Sequence, residues 1–157
     1  MDPVYQESHM VLPKNLALIT AAIFASTWLF MVVYKFFFYP DIPDIAIIAV
    51  AVAFIAICLI FFTLKFTVSV YDDSIEMKYA IMKTSIPKEQ IIDTRTGELN
   101  IIKNYSDWTL KGVKYKTYSV IGLDTGIGLK VTGKRVFFMS AEDPEHIASL
   151  LPKEEKA

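Results

Sequence analysis

Residues 45–64 read IAIIAVAVAFIAICLIFFTL, an unbroken apolar stretch with no charged side chain. A helix of about 20 residues is roughly 30 Å long, the thickness of a bilayer's hydrocarbon layer. Just upstream, residues 15–34 read NLALITAAIFASTWLFMVVY, a second uncharged stretch of the same kind, followed by Lys35 and the patch Phe36-Phe37-Phe38-Tyr39. Between the two lies Pro40-Asp41-Ile42-Pro43-Asp44. Proline ends one helix and starts the next easily, so this segment predicts a tight turn and a transmembrane helical hairpin over residues 15–64. A cleaved signal peptide fits poorly, because its apolar core is usually only about 7–15 residues and no second span follows it.

Flanking charge gives an expected orientation. The turn carries Asp41 and Asp44 and no cation, whereas Lys14, Lys65, Lys78 and Lys83 lie beyond the other ends. The positive-inside rule then places both termini in the cytoplasm of a multi-pass protein of the cell membrane. Lys35 is expected to reach the headgroups among Tyr34, Phe38 and Tyr39. Small residues recur at helical spacing, at Ala21, Ala22, Ala25 and Ser26 and at Ala46, Ala49, Ala53 and Ala56. Ala53 and Ala56 stand at the depth of Trp28 and Met31, which predicts either a bulky-on-small fit inside the hairpin or a dimer contact.

Bulk properties agree with a membrane protein. Of 157 residues, 54% are hydrophobic, and the mean hydropathy is +0.39. The net charge of -1 gives no excess of cations for nucleic acid. The single cysteine, Cys58, builds neither a disulfide framework nor a thiolate metal site.

Residues 1–14 read as an N-terminal tail, and 65–157 as a separate domain with near-balanced charge. Lys65 to Tyr71 alternates, Asp72-Asp73-Ser74 turns the chain, and Ile75 to Tyr79 alternates again, which is a β-hairpin pattern. Strands are expected at 82–86, 91–96, 109–115, 117–123, 127–132 and 134–140, with a polar interruption from Gly97. Asp143 suits an N-cap and Pro144 a first helical position. Ile147, Leu150 and Leu151 then share one face of a C-terminal helix, which ends at Pro152 and the charged 153–156 tail. The pattern gives an α+β domain, a bent antiparallel sheet or barrel of about seven strands plugged by that helix.

Several stretches resemble bacterial and archaeal pleckstrin-homology-like (PH-like) domains that follow a transmembrane hairpin. They are Ile86-Pro87 with Ile91, Trp108 ahead of Gly112, and the run from Gly126 to Ser140 followed by Asp143-Pro144-Glu145. The resemblance covers roughly residues 65–151. It implies a PH-like fold and leaves the role open, because such barrels serve many functions.

No catalytic, cofactor or metal constellation stands out. His9 and His146 lack partners at ligand spacing, and Gly126-Ile127-Gly128 opens a strand instead of a helix, so it makes no nucleotide loop. The Tyr71-Asp72-Asp73-Ser74 turn would repel inositide phosphates. Lys111, Lys114 and Lys116 form a small basic patch, with Lys114 and Lys116 on one strand face. Tyr105 and Trp108 are an aromatic pair that either dips into the membrane interface or packs under its own loop. These five residues are the candidate membrane or partner contacts. The expected role is non-enzymatic: a membrane-anchored module for protein interaction or assembly. The expected partners are the bilayer and an unidentified protein or a second copy. Two alternatives are a small accessory subunit of a membrane complex or transporter, and an enzyme whose site forms on oligomerisation.

Overall fold

The computed structural model describes residues 2–108 and 111–152 and divides the chain into two units. Residues 12–64 form one, a pair of helices; residues 1–11 and 65–157 form the other, which is rich in β-structure.

In the helical unit, α1 spans Lys14–Phe37 and α2 spans Asp44–Thr63. Both are long and apolar enough to cross a membrane, with mean hydropathies of 2.2 and 3.3 over their most apolar windows. Only 6% of each window is buried, so neither helix is the covered core helix of a soluble fold. Thr20, Ser26, Thr27 and Thr63 each donate their hydroxyl to the carbonyl four residues back, which satisfies them without water.

The least exposed positions of α1 include Ala17, Ala21, Phe24, Trp28, Met31 and Lys35, and those of α2 include Ile47, Ala51, Phe54 and Cys58. The alternating spacing of four and three is the heptad seam of paired helices. Phe24 stacks on Phe54 at 4.5 Å, and Trp28 Nε1 donates to Ile47 O at 3.1 Å. Of the two expected roles for Ala53 and Ala56, the fit inside the hairpin is not found: both are exposed, as a dimer contact would need, and Phe24, Trp28 and Phe54 pack in the seam beside Ala21 and Ala51. Lys35 is buried and pairs with Asp44 across the turn; next to it, Tyr34 stacks on both Phe38 and Tyr39.

Among the described residues of the β-rich unit, eight strands make two separate four-stranded sheets, where a single bent sheet or barrel of about seven strands was expected. The first sheet has the order β1-β2-β3-β4, with β1 Tyr5–Met10, β2 Lys65–Val70, β3 Ser74–Tyr79 and β4 Met82–Pro87. Every neighbouring pair is antiparallel. The second has the order β5-β7-β8-β6, with β5 Ile91–Glu98, β6 Lys114–Tyr118, β7 Thr125–Val131 and β8 Arg135–Ser140. Its β6–β8 pair is parallel, unlike the all-antiparallel expectation.

Two local features account for strands lying elsewhere than expected. The segment expected as a tail carries β1, which pairs with β2 from Tyr5↔Val70 to Met10↔Lys65. The whole helical unit is thus inserted between two neighbouring strands. Further on, the expected 117–123 strand stops early: β6 takes in residues 117 and 118, and 119–123 do not continue it. Ser140 Oγ accepts from Val120 N and donates to Leu123 O, both at 3.0 Å, and Gly122 takes a φ of +87°, so the chain turns there. Part of the expected 109–115 strand, and the charged 153–156 tail, fall outside the described residues.

Alternation places Phe66, Val68 and Val70 of β2, Ile75 and Met77 of β3, and Ile127, Leu129 and Val131 of β7 in the core. Strand β8 is buried on both faces from Val136 to Ser140. On the inner face of β1, opposite Val68, stands Glu7, a buried carboxylate. It accepts the backbone N–H groups of Glu142 at 3.0 Å and Asp143 at 3.4 Å and the Tyr5 hydroxyl at 3.0 Å. Burial, and next the Glu7 carboxylate, push the Tyr5 phenol up to about 12. The first strand is thereby fastened to the lead-in of the last helix.

That helix, α4, spans Pro144–Ser149, with Asp143 as N-cap accepting from His146 N at 3.3 Å. It packs on β5 and β7. Ile147, Ala148 and Leu151 are buried, whereas Leu150, expected on the apolar face, is the C-cap and only half-buried. Ile147→Ala should therefore cost about 2–5 kcal/mol, and Leu150→Ala about 1 kcal/mol or less. Unfolding of the full chain in detergent measures both; equal costs would contradict this placement of α4.

Candidate functional site

Gly97, with a φ of +126°, and Glu98 are the last paired residues of β5, and the chain leaves the sheet after them. Asn100 starts the short helix α3, Ile101–Asn104, by accepting from Lys103 N at 3.2 Å. A 3-10 turn, Ser106–Trp108, follows. The segment lies over the outer face of the second sheet, and Tyr105, Trp108, Val136 and Phe138 form one buried cluster there, flanked by Leu99 and Val113.

The Tyr105 ring sits directly on Gly128, where a Cβ would meet Tyr105 Cε1 at 2.4 Å. Only glycine leaves room for the ring at that point. Tyr105 also packs edge-on to Phe138 at 4.8 Å and tilts against Trp108 at 5.0 Å. Burial pushes its phenol up, against the pull of Arg95 and Gly128.

Arg95 fixes the segment from β5. Its guanidinium forks onto Asp107 at 2.6 and 2.9 Å, donates to Asn104 O, and stands 5.0 Å from the centre of the Trp108 ring. The Asp107 hydrogen bond is the largest reason the Arg95 pKa is raised. A bidentate pair combined with a cation–π contact is geometrically specific. The Trp108 indole N–H is buried without a hydrogen-bond partner among the described residues, and these ring contacts offset its cost of about 1–3 kcal/mol.

The aromatic pair is therefore the loop's own core, with Tyr105 fully buried and Trp108 only 5% exposed. Neither offers a ring to a bilayer. Lys114 and Lys116 do share a face of β6, in register with Arg135 and Phe137 of β8, and both are exposed. Lys111 goes elsewhere. It joins Trp108, Val113, Val131, Val136 and Ile92 in lining a cavity of about 280 Å³, whose other lining residues are Lys130, Lys134 and Arg135.

Among the described residues, no acidic side chain lines this cavity. None of its four cations pairs with a carboxylate among the described residues. Arg135 is held by neutral acceptors, Thr132 O at 3.1 Å and Gln90 Oε1 at 3.0 Å. Lys134 adopts a φ of +55° in the β7–β8 turn, a conformation lysine enters at a cost of roughly 1–2 kcal/mol. Four like charges around an apolar floor make a concavity suited to an anionic group. Sequence reasoning found Lys111 and Trp108 but missed Lys130, Lys134 and Arg135. The available signal was the pair Lys134-Arg135 beside the turn glycine Gly133.

Among the described residues, no group of three or more His, Cys, Asp or Glu side chains is placed to hold a metal ion. No known protein family, curated protein or solved structure matches this chain.

With two tryptophans in the chain, Trp28→Phe leaves Trp108 as the single reporter. In that background, inorganic pyrophosphate at low salt should change Trp108 emission saturably. Combining Lys111→Gln with Lys134→Asn, a residue that tolerates positive φ, should weaken binding about tenfold, or roughly 1.4 kcal/mol. A signal with no saturation, or one indifferent to those charges, would rule out anion binding here.

Proposed function

We propose that the chain is a membrane-anchored, non-enzymatic PH-like module that acts by binding at the cytoplasmic face, as an interaction or assembly factor. In this reading α1 and α2 cross the bilayer as a hairpin, and the β-rich unit presents its cationic cavity to an anionic group on its partner.

The observation that carries the reading is the insertion of the helices between β1 and β2. Strands that exchange backbone hydrogen bonds over six residues lie on one side of a membrane, so the chain between them crosses an even number of times. Two apolar helices of 24 and 20 residues meet that requirement. The choice of side rests on charge: Asp41 and Asp44 at the turn, and Lys14 and Lys65 at the other ends of the helices. The two separate sheets and the terminal helix are compatible with a PH-like relationship, which rests on the sequence motifs.

A second reading, a small subunit of a larger membrane complex, draws on one observation. Ala46, Ala49, Ala53 and Ala56 form an exposed line along α2, the kind of surface on which another helix packs closely.

Single cysteines in a Cys58→Ala background test the topology. In intact cells, an impermeant maleimide should label Asp41→Cys and spare Ser106→Cys and Ser149→Cys until the membrane is opened. Labelling of Ser149→Cys in intact cells would overturn the orientation.

A further inference from the structure

Among the described residues of the β-rich unit, the most exposed large apolar side chain is that of Ile81, at 95%, next to Met82 at 61%. They stand at the tip of the β3–β4 hairpin, where Tyr79 pairs with Met82 and Ala80-Ile81 forms the turn. The turn is chemically odd. Ala80 takes a φ of +56°, which glycine or asparagine adopts more easily. Isoleucine is not a turn residue, and at this tip it packs on nothing. Stability gives no reason for either choice.

The register shows where the tip lies within its sheet. Phe66 pairs with Tyr79, and Ala80 N donates to Lys65 O at 3.1 Å, so the tip stands at the Lys65 end. Lys65 follows the last residue of α2, Thr63, by two positions, a chain length of at most about 7 Å. Met10 pairs with Lys65 as well, and α1 begins four residues later, at Lys14. Both chain connections to the helices therefore leave from the end of the sheet that carries Ile81 and Met82.

Charge follows the same polarity. Lys65 is beside the tip, and Lys78 and Lys83 form the next rung of the hairpin, with Lys83 also bonded to Glu76. The opposite end of the sheet, about 20 Å away along β3, is the acidic turn at Asp72 and Asp73. An apolar tip ringed by lysines matches the interfacial layer of an anionic bilayer, in which acyl chains meet phosphate headgroups.

We propose that the Ala80-Ile81 tip is a third membrane contact. Ile81 and Met82 enter the interface of the bilayer that the helices cross, while Lys65 and Lys78 meet its headgroups. The contact holds the β-rich unit with its acidic turn pointing away from the membrane. The proposal rests on the reading that α1 and α2 span the bilayer.

The test uses the full chain in a Cys58→Ala background, reconstituted in phosphatidylcholine vesicles containing phosphatidylglycerol. An environment-sensitive fluorophore is placed at Ile81→Cys, Asp72→Cys or Ile55→Cys, and lipids carrying shallow or deep nitroxides serve as quenchers. The deep quencher should act on Ile55→Cys, which is exposed on α2. The shallow quencher should act several-fold more strongly on Ile81→Cys than on Asp72→Cys. Equal weak quenching at Ile81→Cys and Asp72→Cys, with Ile55→Cys still quenched, would overturn the tip contact and leave the anchor intact. Loss of quenching at Ile55→Cys as well would overturn both.

Discussion

The pairing of β1 with β2 holds this molecule's two halves of sequence together. Six consecutive residues, Tyr5–Met10, lie antiparallel to Lys65–Val70, and everything between them is an insertion. Closing a flexible loop of that length would cost roughly 3–4 kcal/mol in entropy. Antiparallel helices return the chain to its starting point, so α1 and α2 lower that cost by packing on each other through Phe24, Trp28 and Phe54. On its inner face β1 is held by chemistry instead of apolar contact, since Glu7 collects two backbone N–H groups ahead of α4. First strand, helical pair and last helix are thus linked through one short ladder.

The second sheet carries the cationic cavity for a related reason. Its strand β8 is covered on both faces, so it needs a second layer on the outside, and the chain between β5 and β6 supplies it. Tyr105 can reach that face only because Gly128 leaves room for its ring. Once Arg95 and Asp107 have pinned the segment, Trp108 becomes one wall of the cavity, and the β7–β8 turn brings Lys134 and Arg135 to another. The same packing that hides the aromatic pair from solvent assembles the cations around its edge.

The two apolar helices were fully legible in the sequence, because twenty uncharged residues admit few other structures. Strands 2 to 5 and the Asp143 cap were legible too, from alternation and turn chemistry. The first strand was not. YQESHM places Glu7 where a core residue would stand, so the period-two signal is absent, and what makes a strand there is a tertiary hydrogen-bond network. Of the two roles expected for Ala53 and Ala56, the fit inside the hairpin failed, because the heptad spacing of Ile47, Ala51, Phe54 and Cys58 decided the contact. Half of the cationic cavity was hidden because Lys130, Lys134 and Arg135 come together with Lys111 only through the β7–β8 turn.

The pairing across the insertion can be tested at one rung. Ser8 and Thr67 are register partners, with their hydroxyl oxygens 2.9 Å apart. Directly opposed residues of an antiparallel pair lie within disulfide reach. In a Cys58→Ala background, Ser8→Cys with Thr67→Cys should oxidise to an intramolecular disulfide in isolated membranes. Ser8→Cys with Ser85→Cys, on β4, should stay reduced. Failure of the Ser8–Thr67 pair to close, or closure only between chains, would mean that β1 does not lie on β2, and the account built on the inserted helices would not stand.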